Sequence, residues 1–105
     1  MSSEKNDPEY AVIFISKLGP NDKGYDVMAD RMERELQNVE GYLGMSHARS
    51  EMGITVCFWR DRNAIRVWKE NAEHREAQKM GRSTWYTSYE IYICKVEESR
   101  MFESE

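Results

Sequence analysis

The residues able to do chemistry in this chain gather between positions 59 and 86. His74 lies three residues after Asn71, which is well suited to cap a helix, and so falls in a first helical turn. The helix dipole there favours a neutral imidazole, the form that acts as a general base or ligates a metal. A solvent-facing or packing role beside Glu73 or Gln78 is the plainer alternative. His47 stands alone on a weak strand pattern and is the lesser candidate. Trp68 shares an apolar helical face with Ala64, Ile65 and Ala72, which suits core packing first and a cavity wall second. Trp59, Trp85 and Tyr86 fall at strand ends or strand–helix junctions, where a ring packs while its polar atom finds a partner. Arg82, just past a helix end, pairs with an acid or holds an anionic substrate. His74 is therefore the candidate catalytic residue. Trp59, Trp68, Gln78, Arg82, Trp85 and Tyr86 are the candidate substrate-binding residues.

Other chemistries lack their residues. The chain has no paired carboxylates, Gly-rich phosphate loop, CxxC cluster or Ser-His-Asp arrangement at usable spacing, so hydrolase, kinase and zinc-protein readings have no support and no metal site is expected. Its 19 acids and 15 bases give a net charge of −4 and are mixed along the sequence, without the basic stripe that a phosphate backbone demands. No nucleic-acid partner is expected. No apolar run approaches a membrane span and the start lacks a signal-peptide pattern, so the expectation is a soluble, cytoplasmic protein without a membrane partner.

The elements that must position these residues follow from hydrophobic periodicity. With 105 residues, one domain is the default. Residues 1–8 are polar, end in proline and read as a disordered arm. Tyr10–Ile15 is β-branched and aromatic, and Lys17-Leu18-Gly19-Pro20 is a turn signal that stops it. Asn21 and Asp22 are candidate N-caps for a helix in which Tyr25, Met28, Ala29, Met32, Leu36 and Val39 share a face and which Gly41 ends. Residues 42–49 and 54–59 read as a hairpin. Asp61 caps a helix that breaks near Asn71 and closes at Gly81, giving a kinked pair over 62–80. Tyr89–Val96 is the last strand, and 98–105 a frayed tail.

The βαββαβ order specifies an α+β fold of ferredoxin-like topology, with an antiparallel sheet in the order 4-1-3-2 and both helices on one side. Such a sheet should alternate apolar and polar residues, yet the first, third and fourth strands are apolar at both parities. Both faces therefore need cover, and a second copy of the sheet across a two-fold axis supplies it, so a homodimer is expected. The competing account has Lys17, Arg49 and Lys95 folding over a wet face. Cys57 and Cys94 lie on strands separated by another, about 9.6 Å apart, too far for a disulfide.

The set Phe58-Trp59, Ala64-Ile65, Trp68-Lys69, Glu73-His74, Ala77-Gln78, Gly81-Arg82, Trp85-Tyr86 and Tyr89 resembles the pattern of the antibiotic-biosynthesis-monooxygenase-like family of dimeric α+β barrel proteins. The likeness extends by element order over residues 9–97. It implies a cavity between sheet and helices that takes a small apolar or aromatic ligand, and a monooxygenase working without a cofactor. A non-enzymatic dimeric ligand-binding module is the alternative. Haem binding or haem degradation is the minor one, because Trp68 matches that group's tryptophan while its first-strand asparagine is missing and Gln78 stands at its histidine position.

Overall fold

The computed structural model of the chain describes residues 7–71, 79 and 85–104. Among them run β1 (Tyr10–Leu18), α1 (Tyr25–Leu36), β2 (Tyr42–Arg49), β3 (Gly53–Trp59), α2 (Arg62–Lys69) and β4 (Tyr86–Lys95). The strands form one antiparallel sheet in the order β2-β3-β1-β4, the ferredoxin-like arrangement. Among the described residues no helix is long and apolar enough to cross a membrane.

Several boundaries differ from the sequence reading. β1 runs into the turn signal as far as Leu18 because β4 starts early, at Tyr86, and offers backbone partners to Ser16, Lys17 and Leu18. α1 starts later than Asn21 and Asp22 suggested. Gly24 holds the cap position at φ 87°, a conformation that favours glycine, and no side chain caps the helix. Asp22 contributes its carbonyl instead, accepting from Tyr25 N at 3.0 Å. The helix stops at Leu36 rather than at Gly41, and Val39 packs against the core from the turn that follows. Gly41, at φ 90°, leads into β2, where a Cβ would collide with that of Ala64. Asp61 does cap α2, accepting from Ala64 N at 2.8 Å. That helix ends at Lys69, just before the expected break. The second half-helix with its Gly81 end, and the first six residues, lie outside the described residues.

Strand register assigns every side chain to a face. Tyr10, Val12, Phe14 and Ser16 on β1 stand beside Trp59, Cys57, Thr55 and Gly53 on β3 and Lys95, Ile93, Ile91 and Tyr89 on β4, on the helix-covered side. Leu36, Trp59, Ala64, Ile65 and Trp68 form the buried core there. On the other side lie Ala11, Ile13, Ile15, Ile54, Val56, Phe58, Tyr92 and Cys94. Among the described residues no helix covers that side, and Ile54 and Tyr92 are 44% and 48% exposed. Arg49 and Lys95 point to the helix side, so two of the three cations that could have wetted the open face are not on it. Cys57 and Cys94 occupy opposite faces as well as separated strands, and both are free thiols.

Candidate functional site

Between the sheet and the two helices lies a cavity of about 570 Å³. Its floor is Val12 and Phe14 of β1, Met45 of β2, Thr55, Cys57 and Trp59 of β3, and Tyr89, Ile91 and Ile93 of β4. Tyr25, Met28, Ala29, Met32, Glu33 and Leu36 of α1 form one wall, and Ile65, Trp68 and Lys69 of α2 with Trp85 and Tyr86 form the other. Met28, Met32 and Met45 supply soft apolar volume to it. Met52 does not, because it sits in the β2–β3 turn and is 42% exposed.

Four sequence candidates, Trp59, Trp68, Trp85 and Tyr86, are thus brought to the wall of one cavity. His74, Gln78 and Arg82 lie outside the described residues. His47 is exposed on the edge strand β2 and does not line the cavity.

The two ends of the cavity differ in chemistry. At one end Trp59, 2% exposed, meets Tyr42 ring to ring at 5.5 Å, and its indole N–H is buried without a hydrogen-bond partner among the described residues. Burial, reinforced by the Glu33 charge, pushes the Cys57 thiol up to about 11. Burial first, then Cys57 and Glu33, pushes Tyr42 up to about 12. Both groups are therefore neutral at physiological pH, and Glu33 gives this end its negative charge.

At the other end Phe14, Tyr25, Trp85, Tyr86 and Tyr89 interlock, with ring centroids 5.5 to 5.7 Å apart. Trp85 is fixed by its indole N–H, which donates to the Lys23 carbonyl at 3.0 Å. Tyr86 is hydrogen-bonded to Tyr25, and its phenol is raised well above the usual tyrosine range, chiefly by burial and then by Tyr25. The positive charge of Arg49 acts in the opposite direction. Arg49 Nη2 donates to the hydroxyl of Ser16 and, at 3.4 Å, to that of Tyr25, and the guanidinium lies 5.3 Å from the Tyr25 ring centre.

Tyr25, Tyr89, Ser16 and Arg49 were not singled out from the sequence as site residues. Tyr25 reads there as helix core, and Arg49 as a surface cation. Extending the strand parity one residue further, to the Arg49–Gly53 pair, would have put Arg49 on the covered face. As for haem, the described cavity lining contains no histidine, its cysteine is a thiol rather than a thiolate, and no three metal-ligating side chains converge among the described residues. The described residues do not fit that group.

No family model matches the chain. Among known sequences it is 39% identical to the uncharacterised protein YqjZ of Bacillus subtilis, over 98% of this chain and 92% of that one. It is 28% identical to the jasmonate monooxygenase ABM of Pyricularia oryzae over 83% of this chain, a match that takes up only 43% of that relative. Solved structures share the fold at low identity. Rv0793 of Mycobacterium tuberculosis superposes with a TM-score of 0.78 at 11% identity, covering 88% of this chain and 98% of the other. SnoaB, a cofactor-independent oxygenase of Streptomyces nogalater, gives 0.73 at 10% identity, covering 89% and 97%.

Proposed function

The chain belongs to the antibiotic-biosynthesis-monooxygenase-like family, and from that premise we propose that it is a small monooxygenase that oxidises an apolar, aromatic molecule without a bound cofactor. The observation that carries this reading is the cavity itself, ligand-sized and walled by all three tryptophans of the chain. The names of SnoaB and of the jasmonate monooxygenase support the reaction class.

In the proposed reaction an activated methylene of the substrate gives a proton to His74. The carbanion reduces O2 by one electron, and recombination with superoxide forms a carbon–oxygen bond. The protonated hydroperoxide then loses water, so that CH2 and O2 become C=O and H2O. The protein supplies desolvation, positioning and hydrogen bonds to the developing oxyanion. Tyr86 is suited to the last of these, since burial keeps its proton in place.

We further propose a homodimer, the open sheet faces packed on each other into a barrel. Ile13, Ile15, Ile54, Val56, Phe58 and Tyr92 make that face more apolar than a monomer usually exposes. A cytoplasmic location agrees with the two free thiols. Oxygen uptake with anthrone tests the activity: wild-type protein should consume one O2 per anthrone with anthraquinone as product, and His74→Ala should lose most of that rate. No uptake across a panel of anthrones and phenols overturns the reading.

A further inference from the structure

The cavity is electrostatically two-ended. Glu33 stands at the end near Cys57 and Tyr42, where its charge raises both groups. At the opposite end Arg49 is held in one orientation by a buried serine hydroxyl, a tyrosine hydroxyl and a tyrosine ring. Among the described residues it has no carboxylate partner, and only its Nη2 is used in hydrogen bonding. Arg34, Arg60, Arg66 and Arg100, by contrast, each lie against an acid. An arginine fixed by neutral groups beside an apolar cavity keeps a charge that no described residue neutralises. The N–H groups on its Nε and Nη1 remain as charge-assisted donors to a carboxylate. The tyrosine hydroxyls next to it, on Tyr25 and Tyr86, add donors at the cavity wall.

We propose that Arg49, with the hydroxyls of Tyr25 and Tyr86, is an anion-binding pole, and that the ligand of this cavity is an apolar or aromatic small molecule bearing one acidic group. The inference rests on the reading of the cavity as the ligand site and specifies the class of molecule it takes. The acid lies at the Arg49 end, away from Glu33, and the apolar body runs along Phe14 and Ile91 toward Trp68. Lys69 is the cation of the described cavity lining itself, whereas Arg49 adjoins that lining through Tyr25. Both are exposed, but unlike Arg49 Lys69 is not fixed by a hydrogen bond or ion pair among the described residues, so a ligand would have to order its long side chain.

Calorimetric titration of the full-length protein with 1-naphthaleneacetic acid and with the matching neutral amide tests this. The acid should bind about tenfold more tightly or better, the scale of one charge-assisted contact. Arg49→Gln should bring the acid-to-amide ratio to within about twofold, Arg49→Lys should leave an intermediate ratio, and Lys69→Gln should preserve it. Circular dichroism of Arg49→Gln separates lost binding from lost folding, and the Arg49→Lys result stands in its place if it does not fold. Equal binding of acid and amide by the wild type, an undiminished ratio in the Arg49 variants, or a ratio lost in Lys69→Gln overturns the proposal while the cavity remains a ligand site. If neither probe binds at millimolar concentration, the ligand-site reading fails and the proposal with it.

Discussion

The Arg49 side chain passes over Gly53 to reach Ser16, so the last residue of β2 is tied to β1 across the whole width of β3. A Cβ at Gly53 would overlap the guanidinium, and Gly53 has no positive φ that would make a side chain strained. Gly53→Ala is therefore expected to displace a flexible side-chain end without breaking the strand. Its thermal midpoint should correspond to a change of less than about 1 kcal/mol, since alanine also suits a strand better than glycine. The preference for an acidic ligand should nevertheless fall. A paired thermal melt and acid–amide titration reads both quantities.

Ser16 is the buried acceptor of that bridge, 1% exposed. Ser16→Ala removes the acceptor of a charge-assisted hydrogen bond and should cost about 1–2 kcal/mol, because Arg49 can still reach water and Tyr25. Urea unfolding of the variant measures this. A loss above about 3 kcal/mol would mean that the bridge holds the sheet together as well as orienting Arg49.

The open sheet face makes a test of assembly straightforward. Val56 and Ile13 pair at its centre. Val56→Lys adds a charge there without entering the cavity, which lies on the opposite face. Sedimentation should show a wild-type dimer at micromolar concentration and a Val56→Lys monomer. A wild-type monomer would remove the barrel and leave the apolar face needing another cover.

Alkaline pH should weaken the fold. Cys57 ionises near 9.0 when unfolded but near 11 in the folded chain, and Tyr42 moves from 10.0 to about 12. Between those limits the folded state keeps protons that the unfolded state has lost, so stability declines as pH rises from about 9 to about 12. Each such group contributes up to about 1.4 kcal/mol per pH unit at full burial, and less for these partly buried ones. Urea midpoints across that range should fall, and Cys57→Ala should flatten the lower part of the slope.

The topology was legible because apolar residues at both parities of β1, β3 and β4, and helical spacing from Tyr25 to Leu36, are local patterns with one good packing solution. The cap at Gly24 was not, because Asn21 and Asp22 have the better side chains and only the backbone conformation at Gly24 decides the start. The four aromatic candidates on the cavity wall, Trp59, Trp68, Trp85 and Tyr86, could be named from position alone. The polar end could not. Tyr25, Arg49 and Ser16 come from a helix, an edge strand and a central strand, and no spacing in the chain reports that they meet. An arginine at a strand end reads as a plain surface cation until the strand register sets it on the helix side, beside Tyr25.

Tyr86 separates an oxygenase from a passive binding module. Its ring packs against Phe14, Tyr25 and Tyr89, contacts that Tyr86→Phe keeps, so the variant should fold with a stability within about 1 kcal/mol of wild type. Its hydroxyl is kept protonated by burial and can donate wherever negative charge develops beside it. If that charge arises in a transition state, removing the donor should lower kcat about 10- to 100-fold, at or somewhat below the usual loss for one oxyanion donor, since Tyr25 and Arg49 remain. Ligand affinity should change less than kcat, because the ground-state ligand carries less charge at that atom. Because folding pushes the Tyr86 phenol upward, the wild-type rate should not decline through loss of this proton as pH rises from 7 to 10. Steady-state oxygen uptake over that range, with product measured in parallel, gives kcat and KM for both proteins. Equal kcat values would remove Tyr86 from the chemistry and leave it a wall of the cavity.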